Sequence, residues 1–290
     1  MKILVIGNGF LACPVIEKLD SEGHEVSVYS RQIKSNIEVQ QIKGDIFESD
    51  KLDKILQNNY QVVINTAWIT IKNQYRTHES NKDYAKFAIS LASRAAQFGA
   101  EHFIGFGSCA EYGKQSSPCI AGETLLNPEN LYAEQKAETF QQTRQLLFST
   151  KTRFSWLRVF QPYGLKQDPE RLVPYLINGL KNKLDIKIKD NNSCLDWVTT
   201  RDIASAVSWV LNNSLPPELD IATSIGHTNL DVLIYLQVLL GKAKGTLLLD
   251  ESSVENPQLL IAGKESPIFT SGWRPKDTLE TGLEWVVSNA

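Results

Sequence analysis

At 290 residues, with 42% apolar and 22% charged residues, the chain has enough to bury for one large domain or a large and a small one. Thirty Lys and Arg against 33 Asp and Glu leave a net charge of −3, which excludes an overall basic field for nucleic acid or for an anionic membrane. Cys13, Cys109, Cys119 and Cys194 have no paired spacing, the four histidines fit no metal site, and no apolar run reaches the roughly 18 residues of a membrane span; with no signal peptide legible, this reads as a reduced, cytoplasmic chain.

Met1 to Ile6 forms an apolar strand that ends abruptly in Gly7-Asn8-Gly9, a tight turn. From Phe10 to Asp20, Leu11, Val15, Ile16 and Leu19 recur at helical spacing, and Val26 to Tyr29 makes a second strand. The unit repeats: a strand over 39–42, a helix near 51–56, a strand over 62–64, a helix near 81–98 and a strand over 102–106. A helix over 131–147 and a strand over 154–160 follow. Strands and helices alternating at these lengths mean crossovers between parallel strands, hence an α/β fold with a Rossmann-type, doubly wound parallel sheet. The character changes near Gly164. This places a dinucleotide-binding domain over 1–164 and a smaller C-terminal substrate lobe over 165–290, from which segments near 190–225 can return to the first sheet.

Gly7-Asn8-Gly9-Phe10-Leu11-Ala12 has the spacing G-x-G-x-x-A between a strand and a helix. Gly7 permits the turn, Gly9 lets backbone approach a pyrophosphate, and Ala12 lets helix and strand pack closely. The second strand ends in Ser30 and Arg31, where a carboxylate would accept from an unphosphorylated ribose. A serine and a guanidinium suit a 2′-phosphate instead, so NADP(H) is the preferred cofactor and NAD(H) the alternative. Gly44-Asp45 after the third strand offers a carboxylate to an adenine amino group or merely closes a turn.

Tyr132 and Lys136 stand four apart at the start of the helix, one above the other on one face. An ammonium beside a phenol favours phenolate and lowers its pKa. Ser108, at the end of the fifth parallel strand, can hydrogen-bond a carbonyl or alcohol oxygen at the same crevice edge.

With these motifs in order, the chain resembles the extended short-chain dehydrogenase/reductases, the NAD(P)-dependent epimerase/dehydratase family. The segments that carry the resemblance are G-N-G-F-L-A at 7–12, G-D at 44–45, V-I-N-T-A at 63–67, S-C-A-E-Y-G at 108–113 and Y-A-E-Q-K at 132–136. It continues through R-V-F-Q-P-Y-G at 158–164 and D-W-V-T-T-R-D-I-A at 196–204. The resemblance implies Tyr132 as acid/base, Lys136 as holder of the nicotinamide ribose, and Ser108 as binder of the reacting oxygen. It implies cofactor contacts from Gly7, Asn8, Gly9, Phe10, Leu11, Ser30, Arg31, Asp45, Ile46, Thr66 and Ala67. Cys109, Gln161, Tyr163 and Arg171 would join Ser108 around the substrate, Arg171 at its diphosphate, and no metal is implied. Asp196 and Asp202 match the two acids of the family's D-F-x-x-V-x-D segment, although Leu195 stands where many relatives place an arginine.

Departures narrow the expected reaction. Dehydratases of the family carry Asp-Glu where this chain has Cys109-Ala110, and elimination of water needs such an acid and base. What remains is a ketoreductase acting on a nucleotide-linked 4-keto-6-deoxyhexose, similar to the CDP-paratose and CDP-abequose synthases of lipopolysaccharide O-antigen synthesis. A nucleotide-sugar 4-epimerase with retained NAD is the alternative, and a non-catalytic dinucleotide-binding regulator a second. Apolar stripes on the helices near 81–98 and 131–147 fit a homodimer interface and packing on the chain's own sheet equally well.

Overall fold

The computed structural model describes residues 1–71, 74–188, 190, 192–242, 245–249 and 257–289. Its first half runs β1 (Lys2–Ile6), α1 (Ala12–Ser21), β2 (Glu25–Ser30), β3 (Gln40–Lys43), α2 (Ser49–Leu56), β4 (Val62–Asn65), α3 (Ser80–Gln97), β5 (His102–Ser108), α4 (Leu131–Leu147) and β6 (Arg153–Val159). The second half runs β7 (Gln161–Tyr163), α5 (Leu172–Asn182), β8 (Ile186–Ile188), β9 (Cys194–Thr199), α6 (Thr200–Asn212), β10 (Glu218–Ile221), β11 (Gly226–His227), α7 (Asn229–Leu240), β12 (Leu247–Leu249), β13 (Leu259–Leu260), α8 (Pro267–Thr270) and α9 (Leu279–Asn289).

Seven parallel strands form the main sheet in the order β10-β6-β5-β4-β1-β2-β3. Side chains alternate across it, so Ile3 and Val5 face the core shared by α1 and α6. Leu4 and Ile6 face the opposite core with Phe87, Leu91, Phe103 and Trp156. Each wholly buried Ile or Leu there contributes about 1.5–3 kcal/mol over an exposed one. Burial on both faces explains why these strands read as apolar runs rather than alternating ones.

The segment 190–225 divides between the two halves of the architecture. β10 closes the main sheet beside β6, and α6 packs on α1. β9 stays outside as the centre of a second, four-stranded sheet with β7, β11 and β13. Its Asp196 carboxylate accepts from the backbone N–H groups of Thr223, Ser224 and Ala262 at 2.7, 2.8 and 3.2 Å. That pins two returning segments, at 223–224 and at 262, to one strand. Asp202 likewise accepts from the N–H of Lys276 and Asp277 at 2.8 and 3.1 Å.

Strand order reverses between β1 and β4, and their carboxyl ends open the crevice at which such sheets bind ligands. No described helix is long and apolar enough to cross a membrane.

Candidate active site

At the end of β1 the chain turns at Gly7, whose φ of +97° a side chain rarely adopts; an added Cβ there would also stand 2.8 Å from the Thr66 hydroxyl. The Gly7 N–H donates to the Tyr29 carbonyl at 2.9 Å, and Thr66 donates to the Ile6 carbonyl through N–H and hydroxyl at 3.1 and 2.8 Å. β1, β2 and β4 are thereby locked around the turn. At Gly9, by contrast, an added Cβ would meet nothing within 4 Å, so the backbone before α1 stands open on one side. A dinucleotide fits this cradle: open backbone at a helix N-terminus suits a pyrophosphate, with Phe10 and Leu11 completing the entry to α1.

The rim of the cradle holds a cation that the spacing arguments passed over. Lys34 Nζ donates to the Asn8 carbonyl at 2.5 Å and lies 3.9 Å from Cys13 Sγ. The Asn8 amide and the Ser30 hydroxyl both donate to the Gln32 carbonyl, at 2.6 and 2.7 Å. Arg31 is exposed beside them. Across the sheet, Asp45 accepts from the Phe47 N–H at 3.1 Å while its carbonyl takes the Tyr29 hydroxyl at 2.7 Å, with Ile46 buried next to it. Ala67 is half-buried beyond Thr66, its N–H held by the Asn65 side chain at 3.1 Å.

Ser108, Tyr132 and Lys136 converge. Ser108 ends β5 and caps the short helical turn 109–112, accepting from the Ala110 N–H at 3.2 Å. Its own N–H donates to Glu111 at 2.8 Å. That wholly buried carboxylate also takes Arg158 Nε at 2.7 Å and the Trp156 indole N–H at 3.1 Å, so an ion pair anchors the turn that presents the serine. Asn130 caps α4 by accepting from the Ala133 N–H at 3.1 Å, and the Tyr132 N–H donates to the Arg76 carbonyl at 3.0 Å. These bonds set the first turn of α4 so that the Tyr132 phenol hydrogen-bonds with the Ser108 side chain.

The electrostatics differ from the expected lowering of the phenol. Burial pushes the Tyr132 pKa up, against the Ser108 hydrogen bond. Burial also draws the Lys136 ammonium down to about 7, opposed by the Glu111 charge. Lys136 Nζ lies 5.8 Å from the Tyr132 ring centre but only 3.7 Å from that of Trp68, and donates to the Phe106 carbonyl at 2.5 Å. Helical spacing places the two residues on one face but does not dictate where a four-carbon side chain ends.

A second phenol joins the site without any motif to announce it. Tyr75, in the connection from β4 to α3, meets Tyr132 edge to face with ring centres 5.2 Å apart. Arg76 Nε donates to its oxygen at 3.3 Å, and Arg171 stands 5.2 Å from its ring and hydrogen-bonds with it. Against burial, which alone raises it, the charges of Arg76 and Arg171 bring the Tyr75 phenol below its ordinary value. Arg171 thus reaches the crevice from the far lobe, at the N-terminus of α5.

Of the expected substrate contacts, one is directed elsewhere and one is buried. Tyr163 is wholly buried against Trp197 and Gly282, with its hydroxyl near the Thr278 and Leu279 carbonyls at 3.5 and 3.4 Å. Cys109 is buried, and burial pushes its thiol pKa up, so it is an inert packing group. Gln161 is half-buried on β7. Among the described residues no cluster of His, Cys, Asp and Glu could hold a metal.

Comparison with known proteins agrees with this architecture. The model of the NAD dependent epimerase/dehydratase family matches residues 3–222. A UDP-glucose 4-epimerase of Lactobacillus helveticus is 23% identical, over 98% of this chain and 97% of that protein. Among solved structures, the Thermotoga maritima UDP-glucose 4-epimerase with UDP-glucose superposes with a TM-score of 0.85 at 20% identity, covering 99% of this chain and 98% of that one. The Bacillus anthracis dTDP-glucose 4,6-dehydratase with NAD gives a TM-score of 0.83 at 20% identity, covering 99% and 96%.

Proposed function

Because the chain belongs to the NAD dependent epimerase/dehydratase family, we propose that it reduces the keto group of a nucleotide-linked 4-keto-6-deoxyhexose, with NADPH as the preferred donor. The observation that carries this reading is the convergence of Ser108, Tyr132 and Lys136 at the carboxyl end of β5, on the same edge of the sheet as the glycine turn that ends β1. When bound, the nicotinamide supplies hydride to the keto carbon.

The chain's own groups do the rest. Ser108 holds the reacting oxygen, and Tyr132 protonates it as charge develops there, so both act most strongly in the transition state. Burial keeps the Tyr132 phenol protonated, so the proton is in place to be given, while the Ser108 hydrogen bond offsets part of the cost of giving it up. Lys136 holds the ribose of the nicotinamide half. Gly7, Asn8, Gly9, Phe10 and Leu11 receive the pyrophosphate, Thr66 and Ala67 border it, and Ser30 and Arg31 meet the 2′-phosphate. Arg171 meets the substrate diphosphate. The absence of an acid and base pair at 109–110 argues against dehydration. Pairing of two copies through α3 and α4 belongs to the same proposal.

A second reading, a 4-epimerase that keeps its NAD, is favoured by the activity of the curated relative and by the NAD bound in a structural neighbour. One experiment separates them. Purified protein mixed with NADPH and a nucleotide-4-keto-6-deoxyhexose loses absorbance at the reduced nicotinamide band, and Tyr132→Phe abolishes this while still binding NADPH. Copurifying NAD together with interconversion of UDP-glucose and UDP-galactose establishes the epimerase instead. Full turnover by Tyr132→Phe removes the assigned acid.

A further inference from the structure

The Lys136 ammonium is poorly provided for by hydrogen bonds. It is 4% exposed, its one acceptor among the described residues is the Phe106 carbonyl, and burial works against its charge. The groups around it come from four elements. Glu111, on the turn after β5, favours the cation but is already committed to Arg158, Trp156 and the Ser108 N–H. Tyr132 lies on its own helix, with the ring centre 5.8 Å away. Trp156 of β6 is 5.7 Å distant, and Trp68, just beyond β4, is 3.7 Å distant. Only the last is at the separation of a strong cation–π contact, and in a desolvated place such a contact is at its most effective.

The indole is itself fixed. Its N–H donates to the Asn81 side-chain oxygen at 2.8 Å, and the wholly buried Asn81 donates in turn to the Tyr75 and His78 carbonyls at 2.6 and 2.8 Å. The Tyr132 and Tyr84 rings close against Trp68 with centres 6.3 and 6.2 Å away. A ring held by these three neighbours has one orientation to offer, and it offers its face to the ammonium.

The geometry points to Trp68 as a positioning residue that keeps Lys136 cationic and aimed into the crevice through the face of its indole. The inference rests on the Tyr132 and Lys136 assignment above for its consequence in turnover, but the charge on Lys136 is measurable without turnover. Removal of the ring takes away a stabiliser of the charged form only, so Lys136 then loses its proton at lower pH.

The test is a titration of the full chain labelled with 13C-lysine, following the Lys136 Cε resonance, assigned by its disappearance in Lys136→Met. In Trp68→Leu the midpoint is expected to fall by about one pH unit relative to the unaltered chain, and in Trp68→Phe by less. The alkaline limb of kcat/KM shifts by the same amount in each variant, whereas a packing role alone would lower activity at all pH values and leave the limb in place. Should Trp68→Leu fail to fold, Trp68→Phe decides. An unchanged or raised midpoint in the folded variants overturns the inference. Loss of the proposed reductase activity in the unaltered chain, with the titration shift intact, would overturn the functional reading and leave this one standing.

Discussion

Lys34 Nζ sits 2.5 Å from the carbonyl of Asn8, so a cation from the connection after β2 closes over the first turn of the cofactor cradle. Ser30 and Arg31, the residues at the end of β2, are its neighbours in the chain. Lys34→Ala is expected to weaken NADPH roughly tenfold and NADH much less, because a 2′-phosphate gains a charge-assisted contact that a hydroxyl does not. Dissociation constants for both nucleotides, by fluorescence titration, check this. Equal weakening would make Lys34 a brace for the turn alone.

The Tyr75 phenol presses on Tyr132 and accepts from Arg76. With two guanidiniums favouring its anion, the Tyr75 oxygen is suited to accept a hydrogen bond, and it is expected to take one from a substrate hydroxyl. Tyr75→Phe is expected to raise KM for the nucleotide sugar about tenfold and to lower kcat little, since the contact is made equally in ground and transition states. Steady-state kinetics decide. A loss confined to kcat would instead place Tyr75 in the proton transfer.

Much of this site was legible because local sequence dictates it. The G-x-G-x-x-A spacing between an apolar strand and a helical period marks the turn, and Tyr132 and Lys136, four apart, share one face of the helix over 131–147. The fold followed from apolar runs alternating with helical periods, since a sheet buried on both faces leaves little else for such runs to do. What escaped was set by tertiary reach. Lys34, Trp68 and Tyr75 lie in connections with no period, and their roles depend on which loop crosses which crevice. Tyr163 errs the other way: it belongs to a family segment, but Gly282 makes room for its ring on the far side of β7. The sequence leaves the return of segments near 190–225 to the first sheet open, and residues 218–221 do join β6 there, a choice of partner rather than of conformation.

Glu111 and Arg158 are both fully buried, and each is the other's principal charge partner, with Glu218 holding Arg158 Nη1 at 2.9 Å. Glu111→Gln leaves the guanidinium undercompensated, which is expected to cost about 3–5 kcal/mol of folding stability. Urea denaturation measures it. Because Glu111 also holds the Ser108 N–H, kcat falls in the same variant. Glu111→Gln combined with Arg158→Met is expected to recover much of the stability but not the activity.

His102 is buried between Arg153 and Ser155. Arg153 Nη2 donates to its Nδ1 at 2.8 Å, so the ring is neutral with its proton on Nε2, which donates to the Ser155 hydroxyl at 2.9 Å. Burial, then the Arg153 charge, hold its pKa down at about 3, against an ordinary value of 6.5. The unfolded chain therefore takes up this proton first as pH falls. The contribution of His102 to stability is complete above pH 6.5 and is lost progressively between 6.5 and 3, by about 1.4 kcal/mol per pH unit. Other buried groups titrate in the same range with the opposite sign: burial raises Asp196 and Asp220 to about 6, which favours the folded state as pH falls. A difference measurement cancels them. His102→Gln can still accept from Arg153 and donate to Ser155, and it does not titrate. The unfolding free energy of the unaltered chain, less that of His102→Gln, is expected to be flat from pH 8 to 7 and to fall steadily from 6.5 to 4.5. A flat difference over the whole span would mean that His102 titrates alike in the folded and unfolded chains.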